Sequence, residues 1–123
     1  MADSNEERRG YKKTVTISNA NPRDVFSKLK KFGNVFTKEI TLDSGHYFGY
    51  LCGEVQYVLT EEVGISLLLS TTNGDGENTL DIAGFGGGSP TGRKDPEKKV
   101  VTQVISEIEY FANQEGWQVE ISD

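Results

Sequence analysis

Apolar and polar residues alternate from Lys12 to Ser18, with Val15 and Ile17 on one side and Thr14 and Thr16 on the other. That is the period of a half-buried strand. The period then lengthens: Val25, Phe26, Leu29 and Phe32 recur at helical spacing behind Asn21-Pro22, a capping residue followed by proline at the first helical position. Asp24 suits the first turn, and Gly33 is placed to end the helix in a left-handed conformation. Arg23, Lys28, Lys30 and Lys31 fall mainly on the opposite side, which reads as a solvated helix face, with an anion-binding or acidic-partner surface as the alternative.

From Asn34 to Phe85 the pattern returns to strands, and turn chemistry suggests their register. Phe36, Ile40 and Leu42 lead to a turn at Ser44-Gly45. Gly53-Glu54 suits a type II′ hairpin turn, which pairs Tyr50 with Tyr57 and Phe48 with Leu59. Glu62-Val63-Gly64 suits a turn with glycine in the left-handed position, pairing Leu59 with Leu67 and Tyr57 with Leu69. A loop at Asn73-Gly74-Asp75-Gly76 then sets Leu69 against Leu80 and Leu67 against Ile82. The result is an antiparallel meander of five strands with one continuous apolar side. On that side Phe36, Phe48, Tyr50 and Tyr57 are read as core, or as the lining of a pocket beneath the helices that takes a small apolar ligand. The opposite side carries Tyr47, Leu51, Val58, Leu68 and Phe85 among polar residues, and self-association into a homodimer through it is the expected use of such a group.

A second helix follows. Asp95-Pro96 repeats the opening device of the first, Val100, Val101, Val104, Ile105, Ile108, Phe111 and Ala112 form a broad stripe, and Gly116 stops it. Trp117, Val119 and Ile121 then alternate with Gln118 and Glu120, a short final strand with a place beside the first one open to it. The glycine tract before this helix reads as a flexible crossover, with Gly86, Gly87, Gly88 and Gly92 at the mouth of any cavity. Its spacing does not make a phosphate loop. Gly84 and Gly86 are followed by Ser89 where a dinucleotide fingerprint needs glycine, and after Gly87 and Gly92 the P-loop lysine and hydroxyl positions hold Arg93 and Lys94.

At 123 residues the chain is read as one domain, residues 11–123, behind a disordered tail of residues 1–10. Charge is uneven: residues 1–50 hold nine Lys/Arg against six Asp/Glu, and residues 51–123 four against thirteen. That acidity argues against a nucleic-acid binder. No apolar run has the length of a membrane span or signal peptide, and a single cysteine, Cys52, makes no internal disulfide, so a cytoplasmic location is expected.

Candidate chemistry is sparse. His46 and Cys52 are the one histidine and the one cysteine, and along an extended strand they stand roughly 20 Å apart, too far for a nucleophile and its base. An enzyme would need a cleft gathering His46 with carboxylates such as Glu61. Asn73, Asp75 and Glu77 alternate as calcium ligands do, but Asn78 stands where the binding loop needs glycine and Gly84 where it needs a bidentate glutamate. Neither metal nor cofactor is expected, and the reading is non-catalytic.

The order strand, helix, five-strand meander, long helix is similar to the helix-grip arrangement of lipid-binding and polyketide-cyclase-like domains and to single-repeat TATA-binding-protein-like folds. The strand ending in Gly86-Gly87-Gly88-Ser89 before an amphipathic helix resembles a group of small bacterial proteins of unknown function. The expected fold is α+β: an antiparallel meander of six to seven strands with two helices packed on one face, in the order β-α-β-β-β-β-β-α-β.

Overall fold

Six antiparallel strands and two helices make up the computed structural model, which describes residues 10–57, 61–71, 76–86 and 95–122, without the side chains of residues 56, 57, 61 and 95. The elements are β1 (Gly10–Ser18), α1 (Pro22–Leu29) with a 3-10 turn at Lys30–Phe32, β2 (Phe36–Thr41), β3 (Tyr47–Tyr57), β4 (Glu61–Thr71), β5 (Asn78–Phe85), α2 (Asp95–Glu115) and β6 (Gln118–Ser122). They form one sheet in the order β2-β3-β4-β5-β1-β6, so the fold is α+β with β2 to β5 as a meander. β1 starts at Gly10, opposite Phe85, two residues before the expected strand Lys12 to Ser18, and residues 1–9 lie outside the described residues.

The core lies between one face of the sheet and both helices. Val15 and Ile17 of β1, Leu51 of β3, Val63, Ile65, Leu67 and Leu69 of β4, and Leu80 and Ile82 of β5 are buried there. They pack with Val25, Phe26, Leu29 and Phe32 from α1 and its 3-10 turn, and with Val100, Val101, Val104 and Ile108 of α2. The apolar stripes of both helices therefore do what their spacing requires. Asn21 caps α1 by accepting from the Arg23 N–H at 2.9 Å. Gly116, at φ +81°, ends α2, and the N–H groups of Gly116 and Trp117 both donate to the Ala112 carbonyl. β6 pairs with β1, which makes β1 an interior strand.

The meander has four strands where the sequence reading has five. Glycine 53 is not a turn residue: β3 runs unbroken from Tyr47 to Tyr57 and pairs with β4 in the register Phe48↔Ser70, Tyr50↔Leu68 and Gly53↔Ile65. Gly64 is likewise inside β4, opposite Glu54 and Phe85, rather than in a turn. The last hairpin follows the sequence reading, with Leu69 opposite Leu80 and Leu67 opposite Ile82. The turn at Ser44-Gly45 is also found, with Gly45 at φ +96°.

Close approach explains the glycines of β3. A Cβ on Gly49 would lie 2.6 Å from the Phe26 ring, and one on Gly53 would lie against the Phe32 carbonyl oxygen and 2.6 Å from Asn34 Oδ1. The two glycines are a seat for α1 and the turn after it. Asn34 holds that seat: its Nδ2 donates to the Glu54 carbonyl at 3.0 Å, and its Oδ1 accepts from the Glu54 N–H at 2.9 Å. These two bonds tie the Glu54 backbone to the segment after the 3-10 turn, and the Cys52 carbonyl, which a Gly53-Glu54 hairpin would use to accept from Val55, accepts from the Val35 N–H at 3.2 Å. Gly33 follows the same logic. Its φ is −97° rather than left-handed, and a Cβ there would lie 2.9 Å from Leu51 Cβ.

Candidate functional site

Residues directly opposite one another in adjacent antiparallel strands project to the same side of the sheet, so pairing fixes the makeup of the face away from the helices. Three rows cross it from β2 to β5: Ile40, Phe48, Ser70 and Thr79; then Lys38, Tyr50, Leu68 and Asp81; then Phe36, Cys52, Ser66 and Ala83. Phe36, Ile40, Phe48 and Leu68 are 48, 44, 37 and 42% exposed. The rings of Phe36 and Tyr50 meet at 6.1 Å between centroids. Phe85 completes the group, its ring lying over Gly64. A contiguous apolar patch of this kind marks an interaction surface more often than a scattered set does.

The patch stops partway across the sheet. β1 and β6 continue the rows with Thr14 and Ser122, and with Thr16 and Glu120, all polar. Within the patch, the large side chains belong mostly to β2 and β3. β4 and β5 carry small ones around Leu68, and a depression of about 390 Å³ lies there, lined by Thr14, Ser66, Leu68, Asp81 and Ala83 among others.

The structure reverses the two faces expected around β3. Phe36, Phe48 and Tyr50, read as core or pocket lining, lie on the outer face, while Tyr47 and Leu51, read as outer, are buried against the helices. The cause is the missing turn at Gly53, since placing a hairpin there puts the wrong parity of β3 inward. Leu68 and Phe85 are on the outer face as expected. Val58 lies outside the described residues, as does the Tyr57 side chain. Of the glycines expected to be flexible, Gly86 has φ +74° and nothing near it, while Gly87, Gly88 and Gly92 lie outside the described residues. Sequence reasoning assigns Ile40, Lys38 and Asp81 to no site, although the uninterrupted alternation Val63, Ile65, Leu67, Leu69 carries the signal for the correct register.

The cations of α1 are engaged within the molecule. Lys28, Lys30 and Lys31 approach Glu115 at 3.8 Å, Glu39 at 3.1 Å and Glu107 at 2.9 Å, and Arg23 donates to Thr41 at 2.9 Å. The basic N-terminal half thus lies partly against the acidic C-terminal half. Tyr47 donates its hydroxyl to Glu39 at 2.7 Å. That hydrogen bond, together with Lys30, holds the Glu39 carboxyl below its ordinary range, and burial with the same bond pushes the Tyr47 phenol up. This cluster fastens α1 to β2.

His46 sits in the exposed β2–β3 turn, its Nδ1 2.8 Å from Ser44 Oγ. Cys52 is half-buried on the outer face. Among the described residues no three His, Cys, Asp or Glu side chains are grouped to hold a metal ion, and no helix is long and apolar enough to cross a membrane. No family, no curated protein and no solved structure matches the chain.

Proposed function

We propose that the protein is a small non-catalytic interaction module whose working surface is the outer face of β2 to β5, and that its partner there is a second copy of the same chain. The carrying observation is the concentration of exposed Phe36, Ile40, Phe48 and Leu68 on one half of a face whose other half is polar. Burying such residues against another apolar sheet yields about 25 cal/mol for each Å² removed from water, which favours association without any new chemistry. The edge of the sheet is a less favourable surface for the same partner. Pairing β2 with β2 of another copy in its two most overlapping registers would set Lys38 against Lys38 or Glu39 against Glu39.

Light scattering across a concentration series tests the reading. The wild type is expected to reach twice the chain mass, and Leu68→Lys, at an exposed position, to hold the single-chain mass with an unchanged circular dichroism spectrum. A wild type that stays at single-chain mass up to millimolar concentration overturns it.

A further inference from the structure

The outer face is self-complementary about one particular axis, and from this we infer the geometry of the dimer: two copies pack face to face about a two-fold axis that runs along the strands between β3 and β4. The inference rests on the self-association proposed above and adds which residues meet. Such an axis exchanges β3 with β4 and β2 with β5, and keeps each row in register with itself. Phe36 then faces Ala83 of the second copy, Phe48 faces Ser70, and Ile40 faces Thr79, a large side chain over a small one in each case. Tyr50 faces Leu68 at the centre.

The middle row supplies the charge. Lys38 stands at its β2 end and Asp81 at its β5 end, with Tyr50 and Leu68 between them, so the axis brings Lys38 of each copy over Asp81 of the other. Both residues are exposed. Asp81 accepts from the Thr14 hydroxyl at 2.8 Å, and Lys38 makes no hydrogen bond or ion pair among the described residues, so both have capacity to spare. Packed sheets lie about 10 Å apart, a gap that a lysine and a carboxylate reaching toward each other can span.

Two checks favour this axis. Turning it at right angles, across the strands and through the Tyr50 row, stacks Lys38 on Lys38 and Asp81 on Asp81, an arrangement that like charges disfavour. Aligned sheets also pack rotated by about 30°. Lys38 and Asp81 lie about 7 Å from the axis, so that rotation shifts them by roughly 4 Å, less than the roughly 7 Å between rows. The pairing survives the twist.

Charge exchange tests the axis separately from association itself. Lys38→Asp and Asp81→Lys are each expected to weaken dimerisation at least about tenfold by sedimentation equilibrium, because each change acts twice in a two-fold dimer. The double variant is expected to recover to within about threefold of wild type. Thermal melts monitor folding, and Asp81→Asn, which keeps an acceptor for Thr14, separates loss of charge from loss of that hydrogen bond. A double variant as weak as the two single losses combined overturns the axis, even where Leu68→Lys still abolishes association. A wild type with no dimer to weaken overturns both proposals.

Discussion

Replacing Gly53 by alanine tests the central feature of the fold, the seat that β3 provides for the end of α1. An added Cβ would lie in contact with the Phe32 carbonyl oxygen and 3.0 Å from the Asn34 N–H nitrogen, both backbone atoms that cannot rotate away. The strand and the 3-10 turn must then separate. Overpacking of this kind costs about 1–3 kcal/mol. Separation also endangers the two hydrogen bonds between Asn34 and Glu54, each contributing about 1 kcal/mol. Together the loss comes to about 3–5 kcal/mol, a large share of the roughly 5–15 kcal/mol that holds a domain folded. At this chain length 1 kcal/mol corresponds to roughly 3–5 °C, so the melting temperature should fall by about 9–25 °C. Gly45→Ala is the internal standard. Gly45 has φ +96° and nothing within 4 Å of its would-be Cβ, so alanine there meets backbone strain alone, about 1–2 kcal/mol. Urea unfolding followed by circular dichroism measures both. If Gly53→Ala loses no more stability than Gly45→Ala, the close docking of the 3-10 turn on β3 is wrong.

Two further outcomes follow from the register and from the Glu39 cluster. Leu51→Ala, at a fully buried position, is expected to cost about 2–5 kcal/mol in urea unfolding, whereas Tyr50→Ala on the outer face should cost the monomer far less; a larger loss at Tyr50 than at Leu51 would place β3 in the opposite parity. The Glu39 carboxyl has a folded value below its ordinary 4.5, so its stabilising contribution is fully present above that pH and disappears as pH falls through the lowered value. Glu39→Gln should therefore be less stable than wild type at pH 7 by no more than about 1 kcal/mol, since the pair is partly exposed, and the gap should close as acid protonates the carboxyl. A gap that persists or widens in acid contradicts the assignment.

The elements were legible in the sequence wherever one residue set marked both period and boundary. Asn21-Pro22 with Val25, Phe26, Leu29 and Phe32 located α1, and the stripe from Val100 to Ala112 with Gly116 located α2. Pairing of β4 with β5 followed from Leu67, Leu69, Leu80 and Ile82. β3 is not legible locally because glycine carries two opposite meanings, freedom of backbone and absence of a side chain. Gly49 and Gly53 interrupt the inward alternation of Tyr47, Leu51 and Val55, and only the ring of Phe26 and the backbone at Phe32 show what fills the gaps. That information belongs to an element more than twenty positions away, so local turn chemistry had nothing to oppose it. The same ambiguity hides the patch, because a turn at Gly53 places Phe48 and Tyr50 inward.

Threading β1 between β5 and β6 has a consequence for how the chain reaches this structure. Thr14 is hydrogen-bonded to Asp81, 67 positions along the chain, and to Ser122, 108 positions along it. On a ribosome β1 emerges long before β5 or β6 exists, and it waits with both edges bare while the meander assembles. Closing loops of that length is entropically costly before any contact forms, which places folding toward the slow end for a domain of this size. During that interval the alternating Val15 and Ile17 strand is open on both edges to pairing with the wrong strand.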